Sequence, residues 1–300
     1  MPELPEVETA RRHIEHYLVG KRLDFVENRL PKLLRDSPLP DLNTLHGATL
    51  VSARRRAKVL NLAFDNDLSL LIHLKLSGQI SIHLAGGKQV GAGHPVPKPD
   101  GPYPHSATHV DFVFDDGTIA YFSDVRQFGW LRLMPSDDVE AALALFKFGP
   151  EGTGELNAVE LGKVFARRGI PVKTLLLDQS FVAGLGNIYV DEVLFRSAVH
   201  PARPANSLQP KQRRAIIEAI APVLAEGIAI GGARIINHRA LPVNDFPAVH
   251  GRSGESCFGC GTTIEKIRVG ARGTYLCPKC QPAPRTLRSP TRTPAGSPES

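Results

Sequence analysis

The chain has 300 residues, 42% of them apolar, with a formal charge of +6 and an isoelectric point near 9.2. That composition excludes a disordered chain, leaves room for two domains or one large one, and favours a polyanionic partner. No apolar run approaches the ~18 residues needed to span a bilayer, and the first residues form no apolar signal core, so a cytosolic or nucleoid-associated protein with no membrane partner is expected.

The chain opens Met1-Pro2-Glu3-Leu4-Pro5-Glu6. Aminopeptidases remove Met before a small residue, which would leave Pro2 with a free secondary amine beside Glu3. An amine is a carbonyl nucleophile, and a neighbouring carboxylic acid can move protons. Taken alone, the same stretch reads as a stiff leader before a helix. Val7, Ala10, Ile14, Tyr17 and Leu18 then fall on one helical face. Pro5 suits a first-turn position, and Glu3 and Glu6 share a side if that turn reaches them.

From about residue 21 to 134 the apolar period becomes two. Strands are expected at Thr49–Arg56, Lys58–Phe64, Ser69–Leu74, Gln79–Leu84, Thr108–Phe114 and Thr118–Phe122. Short strands separated by Asp65-Asn66-Asp67 and Asp115-Asp116-Gly117 argue for an antiparallel sandwich. If the first strand continues, Arg54, Arg56 and Lys58 share a face, either as a solvated row or as phosphate contacts. Gly86–Ser106, rich in Gly, Pro and His, reads as a long mobile loop.

Near Pro135 the pattern turns helical: Asp137–Phe148, Leu156–Arg168, Val172–Asp178, Ile188–Ser197, and Pro210–Ile230 with a kink at Pro222. The turn Gly184-Leu185-Gly186-Asn187 lies among them. Such a turn either presents amides and a polar side chain to a phosphate or merely packs two helices. Cys257-x2-Cys260 and Cys277-x2-Cys280 are separated by sixteen residues. Two such pairs match one structural, four-thiolate zinc ion closing a small hairpin, Thr262–Arg268 with Thr274–Leu276. Arg268 and Arg272 sit in or beside its turn and point at a polyanion. Gln281–Ser300 carries no core and is expected to be disordered.

The order of these parts resembles the formamidopyrimidine-DNA glycosylase family of bacterial base-excision repair enzymes, over roughly residues 1–281. Met1-Pro2-Glu3-Leu4-Pro5-Glu6-Val7-Glu8, Gly184-Leu185-Gly186-Asn187-Ile188-Tyr189 and Arg272-Gly273-Thr274-Tyr275-Leu276-Cys277-Pro278-Lys279-Cys280-Gln281 carry the resemblance. It implies an α+β multidomain fold: an antiparallel β-sandwich with a flanking helix (1–134), a helix–two-turn–helix domain (135–254), a β-hairpin zinc finger (255–281) and a tail (282–300). It also implies an enzyme that flips a damaged base out of duplex DNA, and a monomer is the default expectation, since flipping one base needs no symmetry.

In that family's mechanism, Pro2 would attack C1′ of the sugar and displace the base, and Glu3 would protonate the ring oxygen. The resulting Schiff base acidifies the C2′ proton, so the strand breaks by β- and then δ-elimination. Lys58 matches the family's phosphate-holding proton donor, Arg272 the finger arginine of δ-elimination, and Asn187 the asparagine on the same phosphate. Glu6 matches an acid near the base pocket. Asp124-Val125-Arg126-Gln127-Phe128-Gly129 resembles the family's Asp-Pro-Arg-Arg-Phe-Gly, with Arg126 on the orphaned base and Phe128 as a wedge. Phe128 read without that context is a core aromatic at a strand end.

Leu76 takes the place of the void-filling methionine, and His73, His105 and Arg168 are further candidate DNA contacts. Residues 233–254 lack the family's usual loop elements, which leaves the lesion open between oxidised purines, the first expectation, and oxidised pyrimidines. A non-catalytic damaged-DNA binder is the alternative from another class; Pro2, Glu3 and Lys58 argue against it.

Overall fold

The computed structural model describes residues 2–98 and 101–284, so the expectation for the tail beyond Pro284 lies outside the described residues. Helix α1 (Leu4–Leu18) starts where the prolines allow it to, with Pro5 in its first turn. It belongs to two cores at once. Leu4 packs among the helices of the second half of the chain, whereas Val7, Ala10, Ile14 and Leu18 pack into the sandwich. A Leu4→Ala change would cost about 2–5 kcal/mol by the usual core-cavity cost.

Nine strands build the sandwich: β1 (Leu23–Asn28), β2 (Leu50–Arg56), β3 (Val59–Phe64), β4 (Leu68–His73), β5 (Gly78–His83), β6 (Gln89–Gly93), β7 (Thr108–Phe114), β8 (Ile119–Asp124) and β9 (Trp130–Pro135). They form two antiparallel sheets, ordered β1-β7-β8-β5-β6 and β2-β3-β4-β9. Their inward faces meet in one apolar core.

Two expectations fail here. Gly86–Ser106 is not simply a loop, because β6 lies inside it and pairs with β5. One of its glycines serves close approach: at Gly93, φ +109°, a Cβ would sit 2.6 Å from the Gly78 carbonyl oxygen. The strand carrying the basic run also does not continue. It ends at Arg56, Ala57 turns at φ +52°, and Lys58 belongs to the turn rather than to a row with Arg54 and Arg56. Strands β1 and β9, too short and mixed to be read from period alone, complete the sheets.

The second half holds α2 (Val139–Ala144), α3 (Ala158–Arg167), α4 (Val172–Leu176), α5 (Asn187–Arg196) and α6 (Pro210–Ala229). The helix expected at Asp137–Phe148 shrinks to α2, and Lys147 beyond it turns at φ +50° before Gly149-Pro150. Helix α6 runs through Pro222 as one element. After it comes a two-residue-turn hairpin of β10 (Ile235–Ile236) and β11 (Arg239–Ala240). The final hairpin is β12 (Glu265–Val269) and β13 (Arg272–Leu276). Among the described residues no helix is long and apolar enough to cross a membrane.

That last hairpin is bolted to α5 by buried polar groups. Glu192 accepts hydrogen bonds from the N–H groups of Ala248, Val249 and His250 at 2.7–3.0 Å. Asp191 accepts from Lys173 Nζ at 2.6 Å, from Tyr275 N–H at 3.1 Å, and bonds the His250 ring at 2.7 Å. Burial lowers the pKa of Lys173 while the Asp191 charge opposes that shift. The finger's position therefore follows that of α5.

Candidate active site

Three glycines explain how the chain's opening residues reach the middle of the molecule. A Cβ on Gly184 would lie 2.2 Å from Leu4, one on Gly186 2.2 Å from the Glu3 carboxyl carbon, and one on Gly232 2.6 Å from the Glu6 side chain. Gly184 and Gly232 also take φ of +102° and +100°, conformations that favour glycine. The first turn of α1 thus nests against the Gly184–Asn187 turn, and Leu4 N–H bonds the Gly184 carbonyl at 3.2 Å.

Glu3 is fully buried at this joint. Its carboxylate accepts from Ile188 N–H at 2.9 Å and from Tyr189 N–H at 3.4 Å, at the start of α5. Those amides have no partner within their own helix, and the helix dipole favours a negative group there. Glu6 stands beneath, accepting from Glu3 N–H at 2.8 Å, Tyr189 O–H at 2.7 Å and Ala233 N–H at 2.7 Å. Burial, reinforced by the charge of Glu3, raises the Glu6 pKa. Burial and the same acid pair push the Tyr189 phenol well above its ordinary range.

Above these acids opens a cavity of about 330 Å³ whose wall includes Pro2, Lys58, His73, Leu76, Asn187 and Arg272. The Lys58 amine donates to the Leu185 carbonyl at 2.6 Å, which ties the β2–β3 turn to the glycine turn. Burial lowers its pKa, Glu3 and Glu6 raise it, and Arg272 lowers it. Asn187 donates to the Gly273 carbonyl at 3.1 Å, and Lys173 donates to the same oxygen at 3.1 Å. Arg272 stands beside that fixed carbonyl, exposed and without an acidic partner among the described residues. The side-chain oxygen of Asn187, Oδ1, is buried and has no hydrogen-bond partner among the described residues.

A second cavity, about 620 Å³, shares Glu3, Leu76, Asn187 and Arg272 and extends past Arg126 to Ile235–His238. Arg126 lies over the Phe128 ring at 5.3 Å, and Phe128 is 54% exposed, so it is not a core aromatic. Asp124, wholly buried, holds this loop by accepting from Gly129 N–H at 2.7 Å, from Arg126 N–H at 3.2 Å and from Ser77. His73 accepts from Lys75 N–H through Nδ1 at 2.9 Å, so its neutral ring carries the proton on Nε2. Burial, helped by Lys75 and Lys58, drops its pKa to about 3.

His105 and Arg168 are not brought to either cavity. His105 packs against Tyr103, and Arg168 is exposed at the end of α3. Sequence reading missed Lys173, Asp191 and Gln179, which joins Gly184 N–H to the Leu185 carbonyl. The detectable signal was a charged pair, Asp191-Glu192, inside an apolar helical run.

The four cysteine sulfurs lie within 4.8 Å of one another, as one ion with four thiolate ligands requires. Cys257, Cys260, Cys277 and Cys280 therefore fit one structural zinc ion, which would stabilise the finger and, with four thiolates, leave no position for substrate.

A sandwich, a helical unit and a thiolate finger that converge on a basic cleft over buried acids define a protein of nucleic-acid chemistry. Comparison with known sequences names the family. Residues 1–131 match the formamidopyrimidine-DNA glycosylase N-terminal domain, 148–238 the formamidopyrimidine-DNA glycosylase H2TH domain, and 249–283 the zinc finger found in FPG and IleRS. The chain is 36% identical to a formamidopyrimidine-DNA glycosylase of Streptococcus pneumoniae over 287 residues, covering 94% of this chain and 99% of that one. It is 37% identical to one of Bacillus cereus over 290 residues, with the same coverage. Its structure resembles the Lactococcus lactis Fpg in complex with abasic-site DNA, with a TM-score of 0.82, 32% identity and coverage of 94% and 100%. It also resembles a MutM in complex with carbocyclic 8-oxo-G DNA, with a TM-score of 0.80, 33% identity and coverage of 93% and 99%. The chain belongs to the formamidopyrimidine-DNA glycosylase family.

Proposed function

We propose that this protein is a base-excision repair enzyme, a DNA glycosylase and abasic-site lyase that removes oxidised purines from duplex DNA. One observation carries the reading. Pro2 lines the cavity that Lys58, Asn187 and Arg272 also line, and the buried Glu3 follows it in the chain. Relatives of the same architecture occur in complex with Fapy-dG DNA and with abasic-site DNA, which supports the substrate class.

Once Met1 is removed, the Pro2 amine attacks C1′ of the everted sugar, and the glycosidic bond breaks with its electron pair leaving on the base. The departing base takes a proton from water, the proton shed by the Pro2 nitrogen passes to Glu3, and Glu3 delivers it to the ring oxygen as the C1′–O4′ bond breaks, which opens the sugar and leaves an iminium on Pro2. The iminium accepts the electrons of the C2′–H bond, and the bond to the 3′ phosphate breaks; a second elimination breaks the bond to the 5′ phosphate. Asn187 and Arg272 hold the everted phosphate, and Lys58, its pKa lowered by burial, exchanges protons within reach of the acids. Arg126 and Phe128 occupy the gap in the stack and Leu76 the vacated base position. The reading is of a monomer in the bacterial cytoplasm on nucleoid DNA, its sandwich at 1–134, helical domain at 135–254 and finger at 255–281.

Borohydride trapping tests it. Protein incubated with a duplex carrying 8-oxoguanine opposite cytosine, then reduced, is expected to yield a covalent protein–DNA adduct, and Pro2→Gly to lose most of it. Absence of adduct from wild type even on an abasic-site duplex would remove the lyase claim. Adduct only with oxidised pyrimidines would move the substrate.

A further inference from the structure

The turn between β4 and β5 contains a residue the mechanism above does not use. Lys75 adopts φ +51°, the left-handed region that any residue with a Cβ adopts at a cost. Its N–H donates to His73 Nδ1, and its side chain lines the cavity that Pro2, Lys58 and Arg272 line. Among the described residues no carboxylate pairs with its amine, whereas Lys21, Lys163 and Lys173 each have one. Lys147 also turns at positive φ, yet lines neither cavity of the active site. Non-glycine residues held in this region cluster at active sites and ligand clamps. A glycine would satisfy this backbone without strain, so what Lys75 adds at this position is its charge and reach.

We infer that Lys75 is a phosphate contact of the damaged strand, a binding residue at the mouth of the cavity. The inference rests on the DNA-repair reading above. Its chemistry is that of an unpaired ammonium on a wall already carrying a neutral N–H donor, His73 Nε2, and two further cations, Lys58 and Arg272. Lys75 adds charge next to Leu76, so the residue entering the vacated base position and the residue holding the backbone share one turn.

The test uses the full chain and a duplex carrying a tetrahydrofuran abasic analogue, which binds without being cut. In Lys75→Gly the strain goes with the charge, so the thermal midpoint should hold or rise by about 2 °C. Affinity should nevertheless fall by ~0.9 log units, or about eightfold, at ~0.1 M salt, and the slope of log K against log salt should shrink by about one. Lys75→Met, which keeps the strained backbone and the methylenes, should lose the same affinity, and Lys75→Arg should retain it. Unchanged affinity and slope in both Gly and Met variants, with wild type binding normally, would overturn the Lys75 assignment alone. Failure of wild type to bind the analogue would overturn it together with the repair reading.

Discussion

Two hairpins in this molecule close through two-residue turns with cations in or beside them, and those cations have opposite fates. In the β2–β3 hairpin Arg56 faces Val59 across the turn Ala57-Lys58; in the β12–β13 hairpin Val269 faces Arg272 across Gly270-Ala271. Arg55 bonds Glu8 at 3.1 Å and pairs with Glu151, and Arg56 pairs with Glu151 and donates to the Gly149 carbonyl at 2.6 Å. Only Lys58 escapes to the cavity. Arg272 meets no acid among the described residues, and its turn is fixed through the backbone carbonyl of Gly273 rather than through its own side chain. Cation density in a sequence therefore does not locate a polyanion site. What locates it is the absence of acids delivered from elsewhere in the chain, here from α1 and from the segment after α2.

Substituting one arginine from each hairpin should separate the two roles. Arg272→Ala removes a charge aimed at the developing anion and should lower strand cleavage by roughly 10²–10³-fold with the thermal midpoint nearly unchanged, the usual scale for losing one preorganised donor. Single-turnover cleavage of an abasic-site duplex beside a melting curve measures both. Arg55→Met should do the reverse. It leaves Glu8 and Glu151 short of a buried partner, though Arg11, Arg12 and Arg56 still reach them. The expected loss is about 2–3 kcal/mol of folding free energy, below the full cost of breaking a buried pair because those partners remain. Cleavage per folded molecule should change little. If Arg55→Met instead spared stability and abolished cleavage, the contrast between the hairpins would be wrong.

How much of this was legible depended on distance along the chain. The cysteine knuckles were readable because their ligands are local and their spacing is dictated by the ion. Most strands and the larger helices followed from period, and the family resemblance supplied the α+β multidomain class. The opening Pro-Glu acquired meaning only through the family resemblance, yet the packing gives a physical reason for it: Gly184 and Gly186 lack side chains because Leu4 and Glu3 occupy that space. Strand β6 hid behind glycines that read as loop, one of which, Gly93, serves close packing. The Lys173–Asp191–His250 network was not readable, since its members come from three separate segments and nothing local marks their pairing. The basic run misled for the same reason, because Glu151 lies about a hundred residues from the arginines that it pairs with.

The smallest expected effect probes the cleft side of the comparison through His73. Its ring is partly buried, and burial, with the charges of Lys75 and Lys58 beside it, keeps it neutral in the folded protein down to about pH 3. In the unfolded chain a histidine takes its proton near ~6.5. Above that pH neither state is charged and the residue contributes no pH dependence. As pH falls below it, the unfolded state binds a proton that the folded state refuses, so stability is lost with acid across the window from about 6.5 to 3. At pH 5 the full shift would amount to ~2 kcal/mol, and solvent screening of a partly buried ring reduces this to about 1–2 kcal/mol. His73→Gln cannot titrate, while its amide oxygen can still accept from Lys75 N–H. Urea unfolding of wild type and variant at pH 6.5 and 5 should therefore show wild type losing about 1–2 kcal/mol more than the variant. Parallel losses would mean that the ring protonates freely in the folded state. The cleft would then tolerate added positive charge in the absence of DNA, against the contrast drawn between the two hairpins.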